Sequence, residues 1–380
     1  MTKTQTLAQL ADEIGPTLAQ GAAERDQDAA FVAENYALLK KHRVFSAQVP
    51  TELGGQRAAS HSEICNFIRM LAHYCPSTGL SLAMHQHVVS AAAFNHRNGK
   101  PGEALLRKVA DDEAVLVSTG ANDWLESNGE ARPVEGGYRI SARKPFGSGS
   151  PGGDILVTSA PCRDEVLHFG IPFASKGISL AGDWDTMGMR ATGSQTVILD
   201  DVFVPEAAVV LKRPQGLYHP AWNVILTVAL PIIMSVYTGV AEAATEKAIA
   251  IAGKRHAEDT VYLIGELGNH LATTQVVHAD MVRIANDLDF EVSTEIANSV
   301  LARKTITANA ALATVEKAMH VTGGPGFFRK FGLERLLRDV HAGQFHPLPE
   351  KRQQRFSGRL ALGMDPISDI VRHGLAVAAE

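Results

Sequence analysis

The chain has 380 residues, 45% of them apolar, and a formal net charge of −5. That length exceeds the roughly 250–300 residues at which one hydrophobic core stops growing, so two or three structural units are expected. The acidic balance excludes a basic field for nucleic acid or an anionic membrane, and three cysteines (Cys65, Cys75, Cys162) without paired metal spacing fit a reducing, cytoplasmic setting with no metal centre.

Met1 to Gln20 is polar and charged, without the apolar run of a secretory leader. Within it Leu7, Leu10, Ala11, Ile14 and Leu18 recur at three- and four-residue spacing, predicting an amphipathic helix. A second periodic run, Phe31 to His42, ends in the basic Lys40-Lys41-His42-Arg43, which suits a helix C-terminus. After a turn at Pro50 to Gly55, helices are predicted over Ser60–Tyr74 and Ser77–Asn95, the second opening at Pro76-Ser77-Thr78 with a hydroxyl cap. Pro101 is expected in the first turn of a short helix over Gly102–Ala110.

From Val115 the period changes from helical to alternating. Strands are predicted at Val115–Thr119, Gly136–Ser141, Asp154–Ser159 and Val166–Pro172. Two more are predicted either side of Asp200-Asp201, in Gln195–Leu199 and Val202–Val204. Beyond Pro205 the pattern is helical again, over Val224–Gly253, Leu263–Asp287, Glu291–Val321, Leu333–Val340 and from Leu348 onward. Val224–Ala241 has no charged residue and nearly the length of a membrane span, but Pro231, Ser235 and Tyr237 within it favour a buried bundle helix. Helices, then strands, then helices argue for α+β layers rather than βαβ units.

The stretch Trp184 to Pro205, WDTMGMRATGSQTVILDDVFVP, resembles the middle-domain signature of the acyl-CoA dehydrogenase flavoprotein superfamily, with Arg190, Thr192, Gly193 and Ser194 in place. The Pro50 to Gly55 turn and Gly332 to Asp339, which contains Glu334-Arg335-Leu336 and Arg338-Asp339, are similar to the same family. The resemblance implies an N-terminal helical domain (1–112), a middle β-domain (113–210) and a C-terminal four-helix bundle (211–380), assembled as a homotetramer or homodimer. It also implies FAD, or FMN if the chain is an oxygenase, and a small-molecule substrate such as an acyl-CoA.

Carried over by position, the loop from Val117 to Asp123 supplies Ser118, Thr119 and Asn122 to the flavin ring. Phe146 covers the ring and Ser148 bonds near its N5. Gly323 and Gly324, in a GGPG turn, approach the phosphates across a subunit boundary, and Arg255 is the remnant of a phosphate contact whose Phe-Gly is missing here. His85 and His87 border the substrate cavity, Arg190 lies in the substrate-side turn, and Arg338 with Asp339 reads as a structural ion pair.

The reaction stays open at this point. A dehydrogenase needs a carboxylate to take the α proton, and the two places where the family carries it hold Pro347 and Ala229; Glu350 is the nearest substitute. The family's flavin-dependent monooxygenases instead use a histidine in the loop after the Arg-Asp helix, where this chain has His346, with a serine matching Ser148. Acyl-CoA dehydrogenation is the first expectation, with electron-transfer flavoprotein as partner. Oxygenation, fed by a flavin reductase, is the alternative, and a non-catalytic flavin-binding relative is the third.

Overall fold

A computed structural model describes residues 5–119, 127–253 and 258–368. Six helices come first: α1 (Leu7–Ala19), α2 (Ala22–Asp28), α3 (Ala33–Lys41), α4 (His61–Tyr74), α5 (Pro76–Arg97) and α6 (Glu103–Asp112). α1 and α4 each open on a reciprocal cap. Thr6 and Ser60 accept from the backbone of Gln9 and Glu63, whose side chains bond back to the cap N–H. That satisfies donors a helix start otherwise leaves open. The start of α5 differs from the expectation. Cys75 is the cap residue, Pro76 occupies the first turn, and no hydroxyl caps it. Thr78 is buried and accepts from Asn35 Nδ2 at 2.7 Å. Proline's fixed φ and missing N–H make the hydroxyl cap dispensable. Pro101 likewise lies ahead of α6 rather than inside its first turn.

Among the described residues eight strands follow: β1 (Leu116–Ser118), β2 (Glu130–Val134), β3 (Gly137–Gly147), β4 (Ile155–Cys162), β5 (Glu165–Pro172), β6 (Ile178–Leu180), β7 (Gln195–Pro205) and β8 (Val209–Pro214). They form two four-stranded sheets, β1-β4-β5-β8 and β2-β3-β7-β6. All pairs are antiparallel except β1 with β4. The sheets share a core in which Ile140, Val197 and Val202 meet Leu156, Leu167 and Phe169. The two strands expected around Asp200-Asp201 are one strand. Asp200 and Asp201 together oppose Ser141, a β-bulge in which Asp201 takes φ 49° and pairs with Arg132 at 2.8 Å. A bulge absorbs the polar pair without ending the ladder.

The remaining helices are α7 (Ala221–Ala252), α8 (Glu258–Ala285), α9 (Thr294–Thr322), α10 (Leu333–Val340) and α11 (Glu350–Ala361). α7, α8 and α9 pack together, and α10 lies against α7 and α9. α7 is the one described helix long and apolar enough to cross a membrane, yet 94% of its most apolar window is buried, so it is the bundle's core helix. It also joins the two helical ends of the chain, because Leu71 of α4, Val240 of α7 and Leu301 of α9 belong to one core. Each fully buried side chain of this kind contributes roughly 1.5–3 kcal/mol. At Gly239 a Cβ would stand 2.2 Å from the Arg69 carbonyl oxygen, so the approach of α4 to α7 requires glycine.

Candidate active site

Where α5, the sheets, α7 and the segment after α10 converge, they enclose a cavity of about 560 Å³. Helical spacing brings one face of α7 to it: Trp222, Ile225, Leu226, Ala229, Leu230 and Ile233. α5 contributes Leu80, Met84, His87, Val88 and Ala91 in the same way. The strands supply a polar wall. Ser118 comes from the end of β1, Thr158 and Ser159 from β4, His168 from β5, and Ser148 from just beyond β3.

The end of β3 is shaped by backbone conformation. Phe146, half exposed, holds φ 60°, and Gly149 holds φ 76°. A Cβ at Gly149 would come 2.5 Å from Tyr36 Oη. A positive φ at an aromatic residue is costly and marks a place where the surroundings hold the chain for a purpose. This turn points Ser148 inward, where Ser148, Ser194 and Thr192 form a chain of hydroxyls at 2.8 and 2.7 Å. Thr192 Oγ1 donates to the Met189 carbonyl.

The Trp184–Ser194 stretch clasps the sheets to the C-terminal helices. Met189 N–H donates to Asp339 Oδ1 at 2.5 Å, and Arg338 donates to the Met187 carbonyl at 2.9 Å. A Cβ on Gly188 would stand 2.2 Å from the Arg338 carbonyl oxygen, which explains the glycine. Arg338 and Asp339 do not pair with each other as expected. Arg338 bonds Asp26 at 2.5 Å and Glu334 at 2.8 Å, whereas Asp339 serves Met189. Burial pushes the Asp339 carboxyl up to about 6.

His346 lines the cavity from the segment after α10. Its Nε2 shares a 2.6 Å hydrogen bond with Tyr237 Oη, and its carbonyl accepts from Lys304 Nζ at 2.7 Å. Lys304 also donates to the Leu348 carbonyl at 3.1 Å, so one buried ammonium pins this segment to α9. Burial first, then the positive field of Lys304 and proximity to His87, push the His346 imidazole down to about 3. It is a neutral ring at pH 7.

The site residues expected from the sequence fall into distinct groups. Ser118, Thr119, Phe146, Ser148, His87 and His346 all line the cavity. His85 does not. Its Nδ1 accepts from Leu116 N–H and its Nε2 bonds the Phe45 carbonyl, both at 2.9 Å, so the fully buried ring ties α5 to β1. Arg190 is also outside the lining, its guanidinium bound to Asp185, the Thr186 carbonyl and the Asp26 carbonyl. Glu350 starts α11, bonded to Asn309 at 3.0 Å and to Gln354. Those contacts hold its carboxyl below the usual range, the opposite of what a base near neutral pH requires. Gly323 and Gly324 sit exposed at the end of α9, outside the cavity lining. Asn122 and Arg255 lie outside the described residues.

Ala229 and Pro347, the two positions where a carboxylate base was sought, both face the cavity. No Asp or Glu lines it among the described residues. The sequence reading missed His168, Trp222, Tyr237 and His341. The histidine inside the alternating run Val166–Pro172 and the tyrosine inside the apolar run of α7 were the available signals, since each is a polar group placed where a strand or helix face turns inward.

Comparison with known proteins agrees with this architecture. Residues 232–350 match the family described as acyl-CoA dehydrogenase, C-terminal domain. The amino sugar nitrososynthase RubN8 of Streptomyces rubradiris is 26% identical over 90% of this chain and 85% of its own. YdbM of Bacillus subtilis (strain 168), provisionally named an acyl-CoA dehydrogenase, is 28% identical over 99% of this chain and 96% of its own. Among solved structures, the dibenzothiophene monooxygenase TdsC of Paenibacillus sp. A11-2, crystallised bound to FMN and also bound to indole, superposes with a TM-score of 0.82 for the FMN complex. That match is 19% identical and covers 94% of this chain and 97% of TdsC. The C-terminal match and the shared arrangement of helices around two sheets show that this chain has the acyl-CoA dehydrogenase fold.

Proposed function

We propose that the protein is a flavin-dependent monooxygenase acting on a small apolar molecule, with FMN as the flavin and reduced flavin delivered by a separate reductase. The observation that carries this reading is the cavity lining. Both positions at which a dehydrogenase of this fold keeps its carboxylate face the cavity as Ala229 and Pro347, while His346 takes its place beside them.

The residues present fit a flavin. Ser118, Thr119 and Ser148 offer hydroxyls on one wall, and Phe146 stands edge-on to Trp184 at 6.1 Å beside them. Such groups hold a ring system by hydrogen bonds along its edge and contact across its face. When bound, reduced flavin supplies the two electrons that activate O₂ for transfer of one oxygen atom. The apolar face of α7 excludes water from the reacting atoms, which protects such chemistry from side reactions. His346, neutral and fixed by Tyr237, presents a hydrogen-bonding imidazole at the cavity surface, with the imidazole of His87 on the same lining. Ser148 orients the bound ring through the hydroxyl chain to Ser194 and Thr192.

The names of the relatives support both the oxygenase reading and, through YdbM, the dehydrogenase. One experiment separates them. Protein with chemically reduced FMN is mixed with ¹⁸O₂ and, in turn, dibenzothiophene, indole and an amino sugar, and products are read by mass spectrometry. Incorporation of one labelled oxygen is expected. Anaerobic bleaching of the oxidised flavin by an acyl-CoA, with no labelled product from any of these compounds, would overturn the proposal.

A further inference from the structure

On the strand wall, away from His346, the cavity carries a second histidine whose chemistry is fixed by its neighbours. His168 of β5 and Arg213 of β8 lie diagonally across the β5–β8 pair, in which Val166 opposes Arg213 and His168 opposes Leu211. Arg213 Nε donates to His168 Nε2 at 3.0 Å. Trp222 of α7 completes the cluster. The Arg213 guanidinium stacks over its indole at 5.2 Å, and the His168 ring meets it edge-on at 5.4 Å. Arg213 is fully buried, whereas His168 and Trp222 line the cavity.

A guanidinium has donors and no acceptor, so Nε2 of His168 must be the ring's acceptor. The ring proton is then on Nδ1. Burial, with the positive fields of Arg213, His219 and Lys144, pushes this imidazole down to about 3, so a second ring proton is not taken up at neutral pH. The hydrogen bond from Arg213 is the one His168 side-chain bond among the described residues, so Nδ1 has no protein acceptor there. A donor on the lining of a largely apolar cavity is free to meet a ligand oxygen, and a ligand without such an oxygen leaves it unpaired on binding. The positive field of Arg213 and Lys144 repels a cationic ligand, and a carboxylate would have to give up its water to meet a single neutral donor.

We propose that His168 Nδ1–H is the specificity donor of this cavity, binding a neutral carbonyl-type oxygen of the substrate, with Arg213 as the positioning residue that fixes the imidazole tautomer. The inference rests on the cavity holding a small-molecule substrate, as proposed above. Its test measures binding without turnover, so a failed oxygenation assay and a failed selectivity assay are separate results.

The probes are indane and 1-indanone, bicyclic molecules that differ by one carbonyl oxygen, titrated by calorimetry into the purified protein. His168→Phe is expected to weaken 1-indanone about tenfold, the equivalent of one well-made hydrogen bond, and to leave indane and FMN within about twofold. Equal changes for both probes, no change for 1-indanone, or no binding of 1-indanone to the wild type would overturn the proposal. A loss confined to FMN would do so as well, since the donor would then serve the flavin. Independently of any variant's stability, ¹⁵N spectra of the histidine-labelled wild type should show the His168 ring protonated on Nδ1 alone, and Arg213→Gln should release that preference. A ring protonated on Nε2 in the wild type rejects the role of Arg213.

Discussion

The two walls of the cavity are built on opposite principles. The strand wall carries Ser118, Ser148, Thr158, Ser159 and His168, whereas the wall made by α7 is apolar from Trp222 to Ile233. A strand wall is the natural place for donors, because its hydroxyls are held by partners on neighbouring elements, as Ser148 is by Ser194. The face that α7 turns to the cavity between Trp222 and Ile233 carries no hydroxyl and serves to keep water out. The segment with His346 bridges the two, pinned by Lys304 of α9 and Tyr237 of α7. Under the proposed function, the contrast gives holding and recognition to the strands, dryness to α7 and a fixed neutral imidazole to the bridge.

The sharpest test of that division is the bridge. His346→Ala should cut oxygenation roughly 10²–10³-fold, the usual range for a lost preorganised hydrogen-bonding group, while the FMN Kd stays within about twofold. Stopped-flow turnover with an equilibrium flavin titration reads both, and a matched fall in flavin affinity would erase the distinction between bridge and wall. Removing only its partner tests positioning. Tyr237→Phe should lower kcat about tenfold with little change in KM, as the imidazole loses one fixed hydrogen bond.

On the strand wall the effect moves from turnover to binding. Ser148→Ala should weaken FMN about fivefold, corresponding to one neutral hydrogen bond, with kcat at saturating flavin changed less than for His346→Ala. Both walls and the bridge share a pH dependence. His87 is held at about 4 and His168 and His346 at about 3, below the ordinary 6.5. Between pH 6.5 and about 4 the unfolded chain therefore binds protons that the folded chain refuses. Their stability contribution is complete above pH 6.5 and is lost as pH falls through that window. Asp339, raised to about 6 from 3.8, works in the other direction, contributing stability at low pH that is lost as pH rises through 6. Three histidines outweigh one carboxyl, so the Tm should drop as pH is lowered from 7 to 5. A flat or rising Tm would show that these rings are not held neutral. The smallest effect belongs to a residue outside the cavity. Glu350→Gln should leave turnover within about twofold, and a large loss would return the carboxylate to the site.

Local pattern made much of this legible in advance. Spacing of apolar residues located α1, α4 and α7, whereas the close approach of Gly188 to the Arg338 backbone appears only in the folded chain. Where polar and apolar groups interleave, the sequence misled. Asp200-Asp201 read as a strand break because a bulge depends on the partner strand, and Cys75-Pro76 starts α5 without the hydroxyl that composition favoured.

Sequence by itself determined the order of helices and strands, the resemblance carried by residues 184–205, and the absence of a carboxylate at positions 229 and 347, because each is a property of neighbours along the chain or of a single residue type. Tertiary structure decided which histidines matter. His85 and His87 are two positions apart on one helix, yet one ring ties α5 to β1 and the other faces the cavity, since a step of two turns a helix by about 200°. His168, Arg213 and Trp222 come from two strands and a helix, and His346, Tyr237 and Lys304 from three separate elements. Hydrogen bonds between groups so far apart in sequence leave no periodic trace, and only packing the sheets against α7 brings them together.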